Sequence, residues 1–181
     1  REPLLDELID NGLMTPTSPT TTTPTTPTTP TSPSESWRPP SSEDEIVRVS
    51  PSGVRIVSVD DRLVRRELPD GTIQYFEGES GSERLVLVYF PEIMLLQTFE
   101  GERYEEHLVH SRNFQSGERR FYAGERNRER VVRIVFPSDI VQNFEGDPGE
   151  ERLVRVTYPD GRVENYRGDS GEEYLVSATD P

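Results

Sequence analysis

The carboxyl-terminal two thirds of the chain repeat one pattern of hydrophobic and polar positions. Short runs rich in valine, isoleucine, leucine and aromatic residues alternate with polar turns, and the units begin at Arg62, Arg84, His107, Arg130, Arg152 and Tyr174. These starts are 22 or 23 residues apart, and a fixed period of this length is typical of a repeat protein. Segments 69–86 and 159–176 are identical at nine of eighteen positions.

Each unit contains two apolar runs, which are separated in the fullest units by Pro-Asp-Gly and followed by Gly-x-x-Gly. Proline fixes the first turn angle, aspartate bonds back to the backbone and glycine accepts a positive φ, so the first separator predicts a hairpin turn. We therefore expect an all-β fold, an elongated antiparallel sheet of tandem 22–23-residue β-hairpin repeats. An extended Thr/Pro-rich arm and a short N-terminal helix are predicted to precede it.

Strict alternation along a strand predicts which side chains share a face. In the unit that starts at Arg152, it places Val154, Val156 and Tyr158 on one face and Leu153 on the other. The arginines that begin the units are expected to form cross-strand ion pairs, with the glutamates that close the units as their partners: Glu83, Glu129, Glu151 and Glu173.

Changes in composition divide the chain into four regions, with boundaries at 1–14, 15–44, 45–61 and 62–181. The first region is a short amphipathic segment that carries Leu4, Leu5, Leu8 and Ile9 on one face at helical spacing. It is too short to be stable alone. It is either a frayed terminus or a docking helix that folds in a partner's groove, and the large apolar face favours docking.

The region at 15–44 is a Thr/Pro-rich linker, and its residues 15–33 contain eleven threonines, six prolines and two serines. Such a tract favours extended polyproline II. Its composition fits both a spacer and an O-glycosylated stalk. Trp37, the only tryptophan, is a predicted second anchor for a partner. Residues 45–61 read as a degenerate capping repeat.

The chain carries 34 acidic and 20 basic residues, a formal net charge of −14. This balance predicts no nucleic-acid partner and no anionic membrane surface. Every basic residue is arginine, which fits bidentate carboxylate pairing or a compositional bias of the genome. No cysteine is present, and no apolar run is long enough for membrane insertion. The first residue is arginine rather than methionine, which suggests either organelle (plastid) import or secretion, or an incomplete sequence.

The repeats resemble two known types. An aromatic-x-Gly motif recurs in the units, at Phe76-Gly78, Phe99-Gly101, Tyr122-Gly124, Phe144-Gly146 and Tyr166-Gly168. Over residues 62–181 the units are similar to MORN-type repeats, which form successive two-stranded hairpins, and more similar to EGExGxERLVR-type repeats of unicellular algae. They lack the MORN tryptophan and carry Pro-Asp-Gly, so lipid binding is not transferred. The resemblance implies scaffolding.

Three groups of residues invite a chemical interpretation. Gly168-Asp169-Ser170-Gly171 reads like the nucleophile loop of trypsin-like proteases, but one equivalent unit carries proline at the serine position, and no protease histidine motif accompanies it. His107 and His110 stand three apart, which alternation would place on opposite faces of a strand. The acidic turns do not match a calcium loop. We therefore predict no catalytic residue, no cofactor and no metal.

Together these features predict a non-catalytic structural linker or scaffold subunit that bridges other protein subunits of a large assembly. A photosynthetic complex of the plastid is one version, and it follows from the algal resemblance alone. The alternative is an extracellular cell-wall or surface protein with an O-glycosylated Thr/Pro stalk. In the linker interpretation, partner binding is assigned to Leu4, Leu5, Leu8, Ile9 and Trp37.

Overall fold

The computed structural model describes residues 45–180. Over this range the chain forms one antiparallel sheet of thirteen strands, and the strands lie in the sheet in the order in which they follow along the chain. The elements are β1 (Ile46–Val49), β2 (Arg55–Val59), β3 (Arg62–Glu67), β4 (Ile73–Glu77), β5 (Arg84–Phe90), β6 (Leu95–Glu100), β7 (His107–Asn113), β8 (Arg119–Ala123), β9 (Arg130–Val135), β10 (Val141–Glu145), β11 (Arg152–Thr157), β12 (Val163–Arg167) and β13 (Tyr174–Thr179), with a 3-10 turn at Pro91–Ile93.

The repeat boundaries read from the sequence coincide with strand starts. The six predicted unit starts are the first residues of β3, β5, β7, β9, β11 and β13, and each complete unit supplies two strands. The all-β prediction is therefore confirmed for the described residues. The region 45–61 supplies β1 and β2, which are joined to β3 by Asp60 and Asp61 at φ 51° and 59° instead of a glycine loop.

The Pro-Asp-Gly segments form hairpin turns by the predicted mechanism. Between β3 and β4, Gly71 N–H donates to Leu68 O at 2.9 Å, and Leu68 N–H donates to Thr72 O at 2.8 Å. The Asp70 side chain accepts the Thr72 N–H at 2.9 Å. Gly71 has a φ of 85°, a value that glycine adopts without the steric cost other residues incur.

Glycine is also required where the aromatic-x-Gly motif ends. Gly146 has a φ of 120°, and a Cβ at this position would lie 2.4 Å from the backbone oxygen of Glu150. The backbone of loop 146–151 therefore folds back against its own start. The same close approach recurs one repeat earlier, where a Cβ on Gly124 would lie 2.4 Å from Arg128 O.

A β-bulge interrupts each pairing between the second strand of a unit and the first strand of the next. In β10 and β11, Asn143 is paired with Arg155 but Phe144 is paired with Leu153, so Val154 is an extra residue. Leu153 and Val156 consequently lie on one face. The prediction that Leu153 lies on the face opposite Val156 is wrong, because strict alternation fails across a bulge.

The described residues contain no α-helix and no second sheet that could cover either face. Burial is accordingly limited to small groups of side chains packed between strands. The buried hydrophobic residues are Val57, Val59, Leu87, Val88, Leu96, Val135 and Val156. Most other strand residues are only half-buried, and both faces of the sheet are accessible.

Candidate interaction surfaces

The five residues to which partner binding was assigned, Leu4, Leu5, Leu8, Ile9 and Trp37, lie outside the described residues. The docking helix and the tryptophan anchor therefore stay predictions. Within residues 45–180, three features are available for interaction: the loops at one end of the strands and the two faces of the sheet.

The glutamates that close the units bind backbone amides. Glu83 Oε1 accepts the Leu63 N–H at 3.0 Å, and Oε2 accepts the Gly81 N–H at 3.0 Å. The second residue of several units is bound in the same way by the glutamate closing that unit, in the pairs Leu85–Glu106, Leu108–Glu129 and Leu153–Glu173. Each carboxylate thus accepts a hydrogen bond from an amide at the start of a unit's first strand. At this point the first strand extends beyond the residues that pair with the second strand of the same unit.

This geometry corrects the predicted ion pairs. Arg84 and Arg152 do form cross-strand pairs, but with Glu77 and Glu145 of the preceding strand, the second at 3.4 Å, rather than with Glu83 and Glu151. The backbone hydrogen bonds favour the charged form of the closing glutamates. The Leu63 N–H is the main cause that lowers the pKa of Glu83. The pKa of Glu173 is lowered by its own N–H first and by the Leu153 N–H second.

The serine of the Gly168–Gly171 segment has a structural role. Ser170 Oγ donates to the backbone oxygen of Glu151 at 2.8 Å. Ser80, its counterpart in an earlier unit, donates to Asp61 O at 2.9 Å. Both hydroxyls bind the loop that ends a unit to the residue immediately before the start of that unit. The resemblance to a protease nucleophile loop is therefore explained by repeat architecture.

Register assigns the remaining side chains to two faces, because directly opposed residues of neighbouring strands share a face. One unbroken row, from Val47 to Ser177, crosses all thirteen strands and contains Tyr75, Phe121 and Arg133. We name the face that bears this row, over strands β7–β12, the arginine face. The opposite face, over β4–β13, is named the aromatic face.

The aromatic face carries the side chains of the repeat motif. Its aromatic residues are opposed by aliphatic ones in the pairs Phe76–Leu85, Phe99–Leu108, Tyr122–Val131, Phe144–Leu153 and Tyr166–Leu175. Local contacts support the assignment. Ser111 Oγ and the Tyr122 hydroxyl lie 3.1 Å apart, and the Arg66 guanidinium lies 5.3 Å from the Phe76 ring. These pairs place apolar contacts at each junction between successive units.

A polar cluster lies on the aromatic face at β12. The hydroxyls of Tyr166 and Tyr158 donate to Glu164 Oε2 at 2.7 Å and 2.9 Å, and Arg162 donates to Oε1 at 2.9 Å. The bond to Glu164 raises the pKa of Tyr166 to about 12. The hydrogen bond from Tyr158 to Glu164 likewise raises the pKa of Tyr158. The hydroxyls of Tyr166 and Tyr158 in turn lower the pKa of Glu164. The cluster fastens the last Pro-Asp-Gly turn to its strand.

The arginine face has a different chemistry. Its strand residues in β7–β12 include seven arginines and one glutamate, namely Arg112, Arg119, Arg130, Arg133, Arg152, Arg155, Arg167 and Glu145. Phe121 lies among them. Its ring is 4.9 Å from the His110 ring, and the Arg133 guanidinium is 5.6 Å from its centre.

The two histidines share this face, contrary to the prediction. His107 is opposed to Glu100 and His110 to Thr98, and the bulge between them removes the expected alternation. The alternation of side chains therefore does not exclude that both histidines bind one metal ion. Over residues 45–180 the structure contains no group of three or more His, Cys, Asp or Glu side chains that could hold a metal ion.

Sequence reasoning missed the arginine face because it treated charge as a sum over the chain. The chain as a whole is strongly acidic, yet the acidic residues are concentrated in the loops and the arginines on one side of the strands. The available signal was a pair of arginines separated by two apolar residues, as in the run from Arg152 to Arg155. Its interpretation needed the position of the bulge. In the described part of the chain, no helix has the length and apolar character of a membrane span.

Comparison with known proteins gives little. No protein-family model matches the chain, and no curated protein matches it. Among solved structures, the chain is similar to the TCP10 domain of CPAP from Danio rerio, determined in complex with a peptide of Danio rerio STIL. That similarity has 14% sequence identity and a TM-score of 0.20, and it covers 76% of this chain and 99% of that domain. A likeness of this size carries no argument about function.

Proposed function

We propose that this protein is a non-catalytic scaffold that bridges other proteins within a larger assembly. The observation that carries the proposal is the single-layer sheet, in which tandem hairpins expose two faces of different chemistry over residues 45–180. Such a sheet is held by contacts between neighbouring repeats, as in other solenoid-like arrays. It offers rigid binding surfaces, and the side chains that suggested catalysis bind its loops together.

The amino-terminal region supplies the second half of the proposal. A segment with Leu4, Leu5, Leu8 and Ile9 on one face is suited to a partner's groove, and Trp37 is a second anchor. The Thr/Pro-rich tract at 15–33 separates the leucine segment from Trp37 and the repeats, and its composition favours an extended arm. Two weak contacts on one chain reinforce each other through effective concentration, so the protein can tie two subunits together. A photosynthetic assembly of the plastid is one version, and it rests on the algal resemblance alone.

The test is the pair of substitutions Leu5→Asp and Leu8→Asp in the full-length protein, used as bait in a lysate of the source cells. Burial of two leucines contributes roughly 3 to 6 kcal/mol before ordering costs, so we expect loss of the subunits that the unaltered bait retains. The repeat sheet should keep its β-type circular dichroism. Asp6→Asn with Asp10→Asn, on the polar side of the same segment, is the matched control. Unchanged retention by the leucine variant would remove the docking helix from the proposal.

The second candidate is an extracellular wall or surface protein, and the composition of residues 15–33 favours it. Threonine and proline at this density are typical of O-glycosylated stalks. The intact mass of the native protein separates the two functions. Hexose or pentose additions on the tract support the surface protein, and an unmodified mass with co-purifying subunits supports the scaffold.

A further inference from the structure

Charge is distributed very unevenly between the two faces of β7–β12. The arginine face carries seven arginines and a single glutamate at strand positions, and that glutamate, Glu145, is paired with Arg152 at 3.4 Å. The aromatic face of the same strands carries one charge of each sign, Arg120 and Glu164. A local excess of positive charge therefore exists on one side of an acidic protein, and it produces a local field within the screening distance of about 8 Å at physiological salt.

The centre of this surface is accessible and regularly spaced. Arg133 and Arg155 are exposed, and neither has a carboxylate within 4.0 Å among residues 45–180. They stand two strands apart in one row, with Asn143 between them and Asn165 beyond. Neighbouring strands are about 4.8 Å apart, so the backbones at the two arginines are about 10 Å apart. Asn143 offers an amide between two guanidinium groups.

Guanidinium groups bind carboxylates and phosphates with similar geometry, so the surroundings must decide between an acidic protein segment and a nucleic acid. The loops at one end of these strands, 124–129, 146–151 and 168–173, contain eight acidic residues and two arginines. A long phosphate polymer would be repelled where it passed these loops. A short acidic segment that crosses the strands along the Arg133–Arg155 row stays clear of them.

We infer that the arginine face is a binding surface for an acidic segment of a partner protein, with carboxylates about 10 Å apart that bind Arg133 and Arg155. The aromatic ring of Phe121 and the amide of Asn143 would contact the same segment. The inference rests on the proposed function only in assuming that the protein binds other proteins. It assigns recognition to the sheet as well as to the amino-terminal region.

The experiment measures binding of a synthetic peptide with the repeated sequence Gly-Ser-Glu to the full-length protein by fluorescence anisotropy at low and physiological salt. Glutamate at every third position places carboxylates about 10 Å apart in an extended chain. We expect binding that weakens as salt rises, and Arg133→Ala with Arg155→Ala should weaken it about tenfold, since exposed charge pairs contribute up to about 1 kcal/mol each. The same peptide with Gln in place of Glu should not bind.

The control is Arg48→Ala with Arg120→Ala, two exposed arginines on the side opposite the arginine face, which changes the net charge by the same amount. An equal loss in the control would overturn the inference, because attraction would then depend on overall charge. Binding of an oligodeoxythymidine strand in preference to the peptide would also overturn it. If the peptide fails to bind while Leu5→Asp with Leu8→Asp still releases co-purifying subunits, the inference falls and the proposed function stands.

Discussion

The two faces of the sheet are made from the same strands and nevertheless have opposite chemistry. On the aromatic face, half-buried aromatic residues of one unit pair with half-buried aliphatic residues at the start of the next unit over β4–β11. On the arginine face, the same strands present guanidinium groups at exposed positions such as Arg133 and Arg155. In a single-layer sheet no second layer protects either face. Buried hydrophobic residues lie on both sides, with Val135 on the arginine face and Val156 on the aromatic face, so the two faces differ in charge more than in burial.

The loops differ from both faces of the sheet, because most acidic residues of the repeats lie in them. The Glu83 carboxylate accepts two backbone N–H groups, and the equivalent Glu173 does the same. These hydrogen bonds fasten each loop to the start of the first strand of the same repeat. The closing glutamates of the described loops therefore have a structural role, and net charge is a poor guide to what the strand faces bind.

Two adjacent residues that point to opposite faces test whether an exposed and a buried position contribute differently to stability. Val156, 4% exposed, lies on the aromatic side, and Arg155 is exposed on the arginine side. Val156→Asp buries an unpaired charge near Glu164 and should lower the free energy of unfolding by about 3 kcal/mol or more. Arg155→Asp should change it by less than about 0.5 kcal/mol. Urea unfolding followed by circular dichroism compares the two.

Should Val156→Asp fail to fold, Val156→Ala keeps the test open, because loss of buried methyl groups should still cost about 2 kcal/mol. Equal effects of Arg155→Asp and Val156→Ala would mean that an exposed guanidinium contributes to cohesion as much as a buried side chain does.

Much of this fold is predictable from the sequence because the hairpin signals are local. Pro69, Asp70 and Gly71 each contribute one necessary feature of a turn, and all three act as expected. A period of 22 or 23 residues then fixes the sequential order of the strands, since each hairpin can only pair with its neighbours along the chain.

The faces were not predictable in the same way because each depends on a bulge. Val154, between Leu153 and Arg155, is the extra residue of the bulge and has no partner in the neighbouring strand. Its side-chain type does not predict this. One extra residue per unit transfers Leu153 to the face of Val156 and places His107 with His110. The arginine face could be found only after this shift was known. The role of Leu4 and its neighbours lies outside the described residues and stays a prediction.

A second test uses ionisation on the aromatic face. Tyr166 has a pKa of about 12 because its hydroxyl donates to Glu164. A raised pKa in the folded state contributes stability that is complete below the ordinary value of 10.0 and is lost as pH rises through about 12. Glu164→Gln should lower the pKa of Tyr166 towards 10.0. It should therefore narrow the alkaline pH range over which this contribution to stability is lost. Ultraviolet titration of tyrosinate measures the shift, and Glu145→Gln on the opposite face should leave the titration unchanged.

The smallest expected effect comes from an ion pair on the arginine face. Arg152 and Glu145 are 3.4 Å apart, with side chains 37% and 65% exposed. Solvent screens such a pair, and the side chains lose rotamer freedom in forming it, so its contribution is about 0 to 1 kcal/mol. Arg152→Met should therefore lower the urea midpoint only slightly, and a double-mutant cycle with Glu145→Gln should give a coupling below about 1 kcal/mol. A loss as large as that of Val156→Asp would show that Arg152, which also donates to Gly168 O at 3.4 Å, holds the last loop in place and that the arginine face contributes to cohesion.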